Sequence, residues 1–130
     1  MAINMKTSGV HHVALRVSNL ERSKKFYIDT LGFKHLMDVP NLTLFLAGGT
    51  AFGLRGPSEE TPNGDRFNPH RLGIDHIALA CPDASELKRV AAALSAAGIE
   101  NTGARRDETL GKDYVAFKDP DRIAWEFYMA

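Results

Sequence analysis

A chain of 130 residues with 44% apolar and 25% charged residues suits one compact domain, or two small modules that share a core. Lys plus Arg balance Asp plus Glu at 16 each, and this zero net charge offers no basic face to nucleic acid or to an anionic membrane. No apolar run approaches the ~18 residues that span a bilayer. The opening Met1-Ala2-Ile3-Asn4-Met5-Lys6 lacks the apolar stretch of a secretory signal, and a lone Cys81 excludes an internal disulfide. These features together predict a cytoplasmic protein with neither nucleic acid nor membrane as partner.

Taken in chain order, the predicted elements spell one pattern twice. Val10-His11-His12-Val13-Ala14-Leu15-Arg16-Val17 alternates as a strand, with Val13, Leu15 and Val17 on one face. Asn19 is placed to cap a helix that runs to about Leu31 and stops at Gly32-Phe33. Strands follow over roughly Lys34–Asp38, Leu42–Ala47 and Thr50–Arg55, the last two joined by a Gly48-Gly49 turn. Gly56 to Gly73 carries Pro57, Pro62, Gly64 and Pro69 and shows almost no periodicity. It reads as a connection long enough to serve as a lid or binding loop.

Ile74-Asp75-His76-Ile77-Ala78-Leu79-Ala80-Cys81 then repeats the first strand and aligns His76 with His12. Asp83 and Glu86 form a capping-box start for a second helix, which has a stripe of Leu87, Val90, Ala91 and Leu94 and ends at Gly98-Ile99. Strands are expected over roughly Glu100–Arg105, Asp113–Lys118 and Ile123–Tyr128, with Asp119-Pro120-Asp121 as the last turn. The order β-α-β-β-β therefore occurs twice, an α+β fold. Its modules are residues 9–55 and 74–130, joined by residues 56–73 into one compact domain. Neither half alone buries both a sheet face and a helix, so the sheets are expected to form an incomplete, cupped β-barrel with helices outside.

Alternation assigns faces. With Val13, Leu15 and Val17 against the helix, His12, Ala14 and Arg16 point inward, and His76, Ala78 and Ala80 do so in the repeat. In the last strand Ile123, Trp125 and Phe127 form the apolar face, which leaves Ala124, Glu126 and Tyr128 inside. Two imidazoles and a carboxylate are a ligand set that binds a divalent ion and leaves positions open for substrate. His11 is expected on the opposite face from His12, His35 has no partner in the pattern, and His70 sits in the connection within reach of the cleft. Cys81 falls on the helix-facing side as a core residue. There is no nucleophile elbow, phosphate loop or Cys-x-x-Cys pair.

The stretch from His12 to Ser23, with Phe26-Tyr27 and Leu31-Gly32-Phe33, resembles the opening of glyoxalase/bleomycin-resistance/dioxygenase proteins, the vicinal-oxygen-chelate superfamily. Gly73-Ile74-Asp75-His76-Ile77-Ala78-Leu79 and Phe117-Lys118-Asp119-Pro120-Asp121, followed by Glu126, resemble its closing module. The resemblance implies paired modules, usually in a homodimer, with metal ligands on the first and last strands at His12, His76 and Glu126. The first-module counterpart of Glu126 is Gly53, which argues against a four-ligand glyoxalase I or a methylmalonyl-CoA epimerase. Three ligands are similar to extradiol dioxygenases and fosfomycin-resistance transferases. The chain departs from the former at Ala116 and Arg122, where a tyrosine and a glycine are expected, and the latter's Lys/Ser loop is missing between Arg105 and Tyr114.

Two functions remain open on the sequence. One is an enzyme that chelates a small oxygen-bearing substrate on a single Fe, Mn, Zn or Ni ion, by dioxygenase-, lyase/isomerase- or transferase-type chemistry. In that reading Tyr114 is the catalytic acid or base, and Arg16, His70 and Tyr128 bind substrate. The alternative is a metal-free, drug-binding protein like the bleomycin-resistance members, which the complete His/His/Glu set disfavours.

Overall fold

The computed structural model describes all 130 residues and divides them into two compact units, Met1–Thr61 and Pro62–Ala130. Each carries one β-α-β-β-β module. In the first, β1 (His12–Arg16) leads into α1 (Leu20–Lys24), then β2 (Lys34–Val39), β3 (Leu42–Ala47) and β4 (Thr50–Arg55). The second has β5 (Ile77–Cys81), α2 (Ala84–Ala96), β6 (Arg105–Asp107), β7 (Lys112–Lys118) and β8 (Ala124–Met129). The sheets run β1-β4-β3-β2 and β5-β8-β7-β6. In both, the first strand of the module lies parallel to the last, and the remaining pairs are antiparallel. No helix is long and apolar enough to cross a membrane.

Both helices begin where the caps predict. Asn19 Oδ1 accepts the Arg22 N–H at 3.0 Å, and Asp83 Oδ1 accepts that of Glu86 at 2.8 Å. The first helix reaches Leu31 by an unexpected route. After Lys24 it widens into a π-helical turn over Lys25–Thr30, closed by the Leu31 N–H on the Phe26 carbonyl five residues back. The wider turn, and the left-handed Gly32 after it, let Tyr27 and Phe33 both stack on Phe45, at 5.0 and 5.4 Å between ring centroids. Phe45 stacks in turn on Phe52 at 5.4 Å. This aromatic ladder is the core of the first module, each contact adding about 0.5–1.5 kcal/mol beyond area burial.

The second module packs Leu87 and Leu94 of α2 among Cys81, Val115, Phe117, Ile123 and Trp125, all buried. Burial pushes the Cys81 thiol up, as befits a core residue that donates to the Asp83 carbonyl. One strand departs from expectation. Instead of Glu100–Arg105 there is a single bridge at Asn101 and a short β6 at its end. Asn101 Oδ1 takes the Gly103 N–H, Gly103 is left-handed, and Thr102 Oγ1 receives the Ala116 N–H. These side-chain bonds satisfy the Gly103 and Ala116 N–H groups in place of regular strand pairing.

The closing turn is held by buried Asp119, whose Oδ1 accepts the N–H groups of Asp121 and Ile123 at 2.9 and 2.8 Å. It forces exposed Arg122 into φ +69°, a left-handed conformation that costs a non-glycine residue about 1–2 kcal/mol. Arg122→Gly is therefore expected to stabilise the fold by about 0.5–1 kcal/mol after the extra chain entropy of glycine; an unchanged or lower denaturation midpoint refutes this. Ser23 is fully buried in α1, and its hydroxyl has no hydrogen-bond partner. Removing an unsatisfied hydroxyl from a helix should help, so Ser23→Ala is expected to gain about 1 kcal/mol in urea unfolding.

Candidate functional site

In the second module, the parallel pairing of β5 with β8 puts Glu126 in register with Ala78 on one side, and β7 brings Ala116 to the other. Two methyl side chains flank the carboxylate, so it is free to lean toward the start of β5. There it meets His76, with Nε2 3.5 Å from Glu126 Oε2. His76 stands one residue before the strand, and its Nδ1 lies 2.6 Å from Asp75 Oδ1. A carboxylate only accepts, so Nδ1 carries a proton, and Nε2 is the ring nitrogen turned toward Glu126.

In the first module, His12, Ala14 and Arg16 are exposed, whereas Leu15 and Val17 are buried, as alternation requires. His12 Nδ1 lies 2.9 Å from His11 Nδ1, the two rings edge-on at 5.1 Å. His11 thus does not turn away from His12. Strand alternation does not bind it, because it precedes β1. Arg16 Nη1 donates to the Gly56 carbonyl at 2.8 Å, beside Asn41 Nδ2 at 3.2 Å, which fixes the guanidinium where β4 ends. Gly53 stands in register with Ala14, as Glu126 does with Ala78. A Cβ there would lie 3.2 Å from Leu44 Cδ2 and 3.3 Å from Leu42 Cδ1. The position equivalent to Glu126 is closed by leucine side chains.

Further along the Glu126 face, Tyr114 and Tyr128 are paired across β7 and β8 and stack at 6.0 Å. The Tyr128 hydroxyl donates to Asp107 Oδ2 at 2.6 Å. Desolvation and the Asp107 carboxylate together push the phenol up to about 12, and the same bond lowers Asp107. His70 lies exposed in the connection, its backbone N–H bound by Asn68 Oδ1. The structure thus joins His76 to Glu126 and Tyr114 to Tyr128 within the second module, and it places His12 and Arg16 on the first. Sequence reasoning missed three partners: His11, Asp75 and Asp107. The first two were visible as residues preceding the repeated histidines, and Asp107 lies in the segment whose strand was misplaced.

Within neither module do three His, Cys, Asp or Glu side chains gather into a set able to hold a metal ion. The second module nevertheless supplies a pair that suits one. Donors bound at about 2.1 Å by a tetrahedral ion stand about 3.4 Å apart. The observed 3.5 Å between His76 Nε2 and Glu126 Oε2 is close to that separation. With Nδ1 engaged by Asp75, Nε2 is the ring nitrogen left to face Glu126, where either a second imidazole proton or a cation can join the two groups.

The family model of the Glyoxalase/Bleomycin resistance protein/Dioxygenase superfamily matches residues 9–127. The uncharacterized protein YwkD of Bacillus subtilis (strain 168) is 30% identical over 131 residues, which cover 95% of this chain and 98% of that one. Among solved structures, the glyoxylase/bleomycin resistance protein/dioxygenase domain from Frankia sp. EAN1pec is 28% identical, with a TM-score of 0.80 over 96% of this chain and 93% of its own. A lactoylglutathione lyase from Agrobacterium tumefaciens shares the fold at 23% identity, with a TM-score of 0.77 over 97% of this chain and 96% of its own. With its two β-α-β-β-β modules matched over nearly their whole length, the chain belongs to the Glyoxalase/Bleomycin resistance protein/Dioxygenase superfamily.

Proposed function

We propose that this protein is a metal-dependent enzyme that acts on a small oxygen-bearing substrate, works as a homodimer, and holds one divalent ion through His12, His76 and Glu126. The observation that carries the reading is the His76–Glu126 pair, an imidazole nitrogen 3.5 Å from a carboxylate oxygen. Family membership supports it, as does the repeat that makes His12 the counterpart of His76. Three protein ligands leave coordination positions for substrate oxygens, and Gly53 with its two leucines offers no fourth.

Such an ion supplies Lewis-acid polarisation of the oxygens bound to it. The chain's own residues divide the remaining work. Tyr114 is the proposed acid or base, since its neighbour Tyr128 is committed to Asp107 and keeps its proton throughout the neutral range. Tyr128 then acts as a fixed aromatic surface, with Tyr114 stacked on it. Arg16 spends one donor on Gly56 and offers the others to an anionic substrate group, and His70 would approach from the connection. The reaction class stays within lyase/isomerase, dioxygenase or transferase chemistry, on Fe, Mn, Zn or Ni.

Metal-free protein titrated with Mn²⁺, Fe²⁺, Zn²⁺ or Ni²⁺ is expected to bind one ion per chain with at least one of them. It should gain about 2.7 kcal/mol of stability at a hundredfold excess over Kd. Glu126→Gln and His76→Ala should each abolish the gain, and solution scattering should report a dimer mass. If no ion stabilises the wild-type protein, the metal-dependent reading falls and the drug-binding alternative takes its place.

An alkaline absorbance titration checks the assignment of the two phenols. The folded Tyr128 lies above its unfolded value, so its contribution to stability is whole below pH about 10 and is lost as pH rises through about 12. The difference between wild type and Tyr128→Phe should therefore titrate near 12, and Asp107→Asn should move it down. A difference curve centred near 10 would refute the Asp107 bond.

A further inference from the structure

The residues immediately before the two repeated histidines do the same thing by different chemistry. Asp75 Oδ1 lies 2.6 Å from His76 Nδ1, and His11 Nδ1 lies 2.9 Å from His12 Nδ1. The alignment of the repeats puts Asp75 on His11, and neither residue belongs to the strand that follows it. In a continued strand the two neighbours would point to opposite faces. Ahead of each strand the irregular chain instead brings the preceding side chain against the imidazole.

We infer that Asp75 and His11 are positioning residues, each fixing the Nδ1–H tautomer of the histidine that follows and so presenting its Nε2 lone pair for coordination. This rests on the proposed metal-dependent function for its purpose and for the direction of the His11–His12 bond, but not for the contacts themselves. For His76 the proton assignment is forced, since Asp75 can only accept. In the first module two imidazole nitrogens share one proton. If His12 offers Nε2, it carries Nδ1–H and donates to the His11 Nδ1 lone pair, and His11 keeps its own proton on Nε2. Hydrogen bonds to the distal nitrogen of a metal-bound histidine orient the ring and raise its basicity. A charged acceptor does so more strongly than a neutral one. The modules therefore present unequal imidazoles, His76 held by a carboxylate and His12 by a second ring.

Long-range proton–nitrogen correlation spectra of the metal-free full-length chain, under alkaline conditions that keep imidazoles neutral, read the tautomers directly. His12 and His76 are expected as Nδ1–H and His11 as Nε2–H. Asp75→Ala should return His76 to a mixture dominated by Nε2–H, and Asp75→Asn, which keeps an acceptor, should restore part of the wild-type spectrum. His11→Ala should do to His12 what Asp75→Ala does to His76. In Zn²⁺ and Mn²⁺ titrations, Asp75→Ala should weaken binding about 10–100-fold and His11→Ala by less. Wild-type tautomers in both alanine variants would overturn the inference, as would unchanged Zn²⁺ and Mn²⁺ affinity alongside altered tautomers. A wild-type chain that binds none of Mn²⁺, Fe²⁺, Zn²⁺ and Ni²⁺, with tautomers that still follow Asp75 and His11, would uphold the positioning and defeat the metal-dependent reading instead.

Discussion

The parallel pairing of the first strand of each module with its last is the constraint from which the rest of the site follows. A β-α-β-β-β chain that ended its meander at the far edge would leave the first strand alone. Here β4 and β8 return to lie between β1 and β3 and between β5 and β7. Residues about forty to fifty positions apart thus become neighbours, so that Glu126 stands in register with Ala78 and Gly53 with Ala14. The side-chain period of two then decides everything on each rung. Residues such as Trp125, Leu15 and Phe52 go to the helix-covered side, and Ala14, Gly53, Ala78 and Glu126 go to the other. A one-residue slip of β8 would bury Glu126 and expose Trp125. The aromatic payload thereby guards the register of the carboxylate.

Because the same scaffold is built twice, differences between the halves carry information. The two caps, Asn19 and Asp83, and the two left-handed stops, Gly32 and Gly98, are interchangeable solutions to the same helix. The faces opposite the helices are not. On the first module that face holds Leu42 and Leu44 around Gly53. On the second it holds Tyr114, Tyr128 and Glu126, with Asp107 bound to Tyr128. Tyrosine and carboxylate groups are concentrated on the second module, while the first carries His12, Arg16 and leucine surface.

Much of the fold was legible in the sequence because periodicity and caps are local signals. Leu42–Ala47 and Thr50–Arg55 were predicted to the residue, and both helix starts fell where Asn19 and Asp83 placed them. The misses share a cause. Around Asn101 and Gly103, side-chain bonds to the backbone replaced strand pairing. At Lys25–Thr30 an aromatic stack widened the helix. At His11 and Asp75 a strand was extended past its true start, and with it an alternation rule that did not apply. Neither a π turn nor a strand end leaves a period in the sequence. The identity of Glu126's neighbours was readable by counting, whereas the partner of each imidazole was not.

That last failure bears on how the proposed site is built. A histidine in mid-strand has its ring direction set by the pleat, and its distal nitrogen must find whatever the sheet offers. A histidine at a strand's first residue or just before it has no such guide, and an unheld imidazole samples both tautomers and several rotamers. Placing a hydrogen-bonding residue directly ahead of it solves both problems with local chain alone. It does so independently of the helix, the core and the other module. The metal-facing nitrogen would be fixed by two adjacent residues in each half, and only the carboxylate would depend on the sheet for its place.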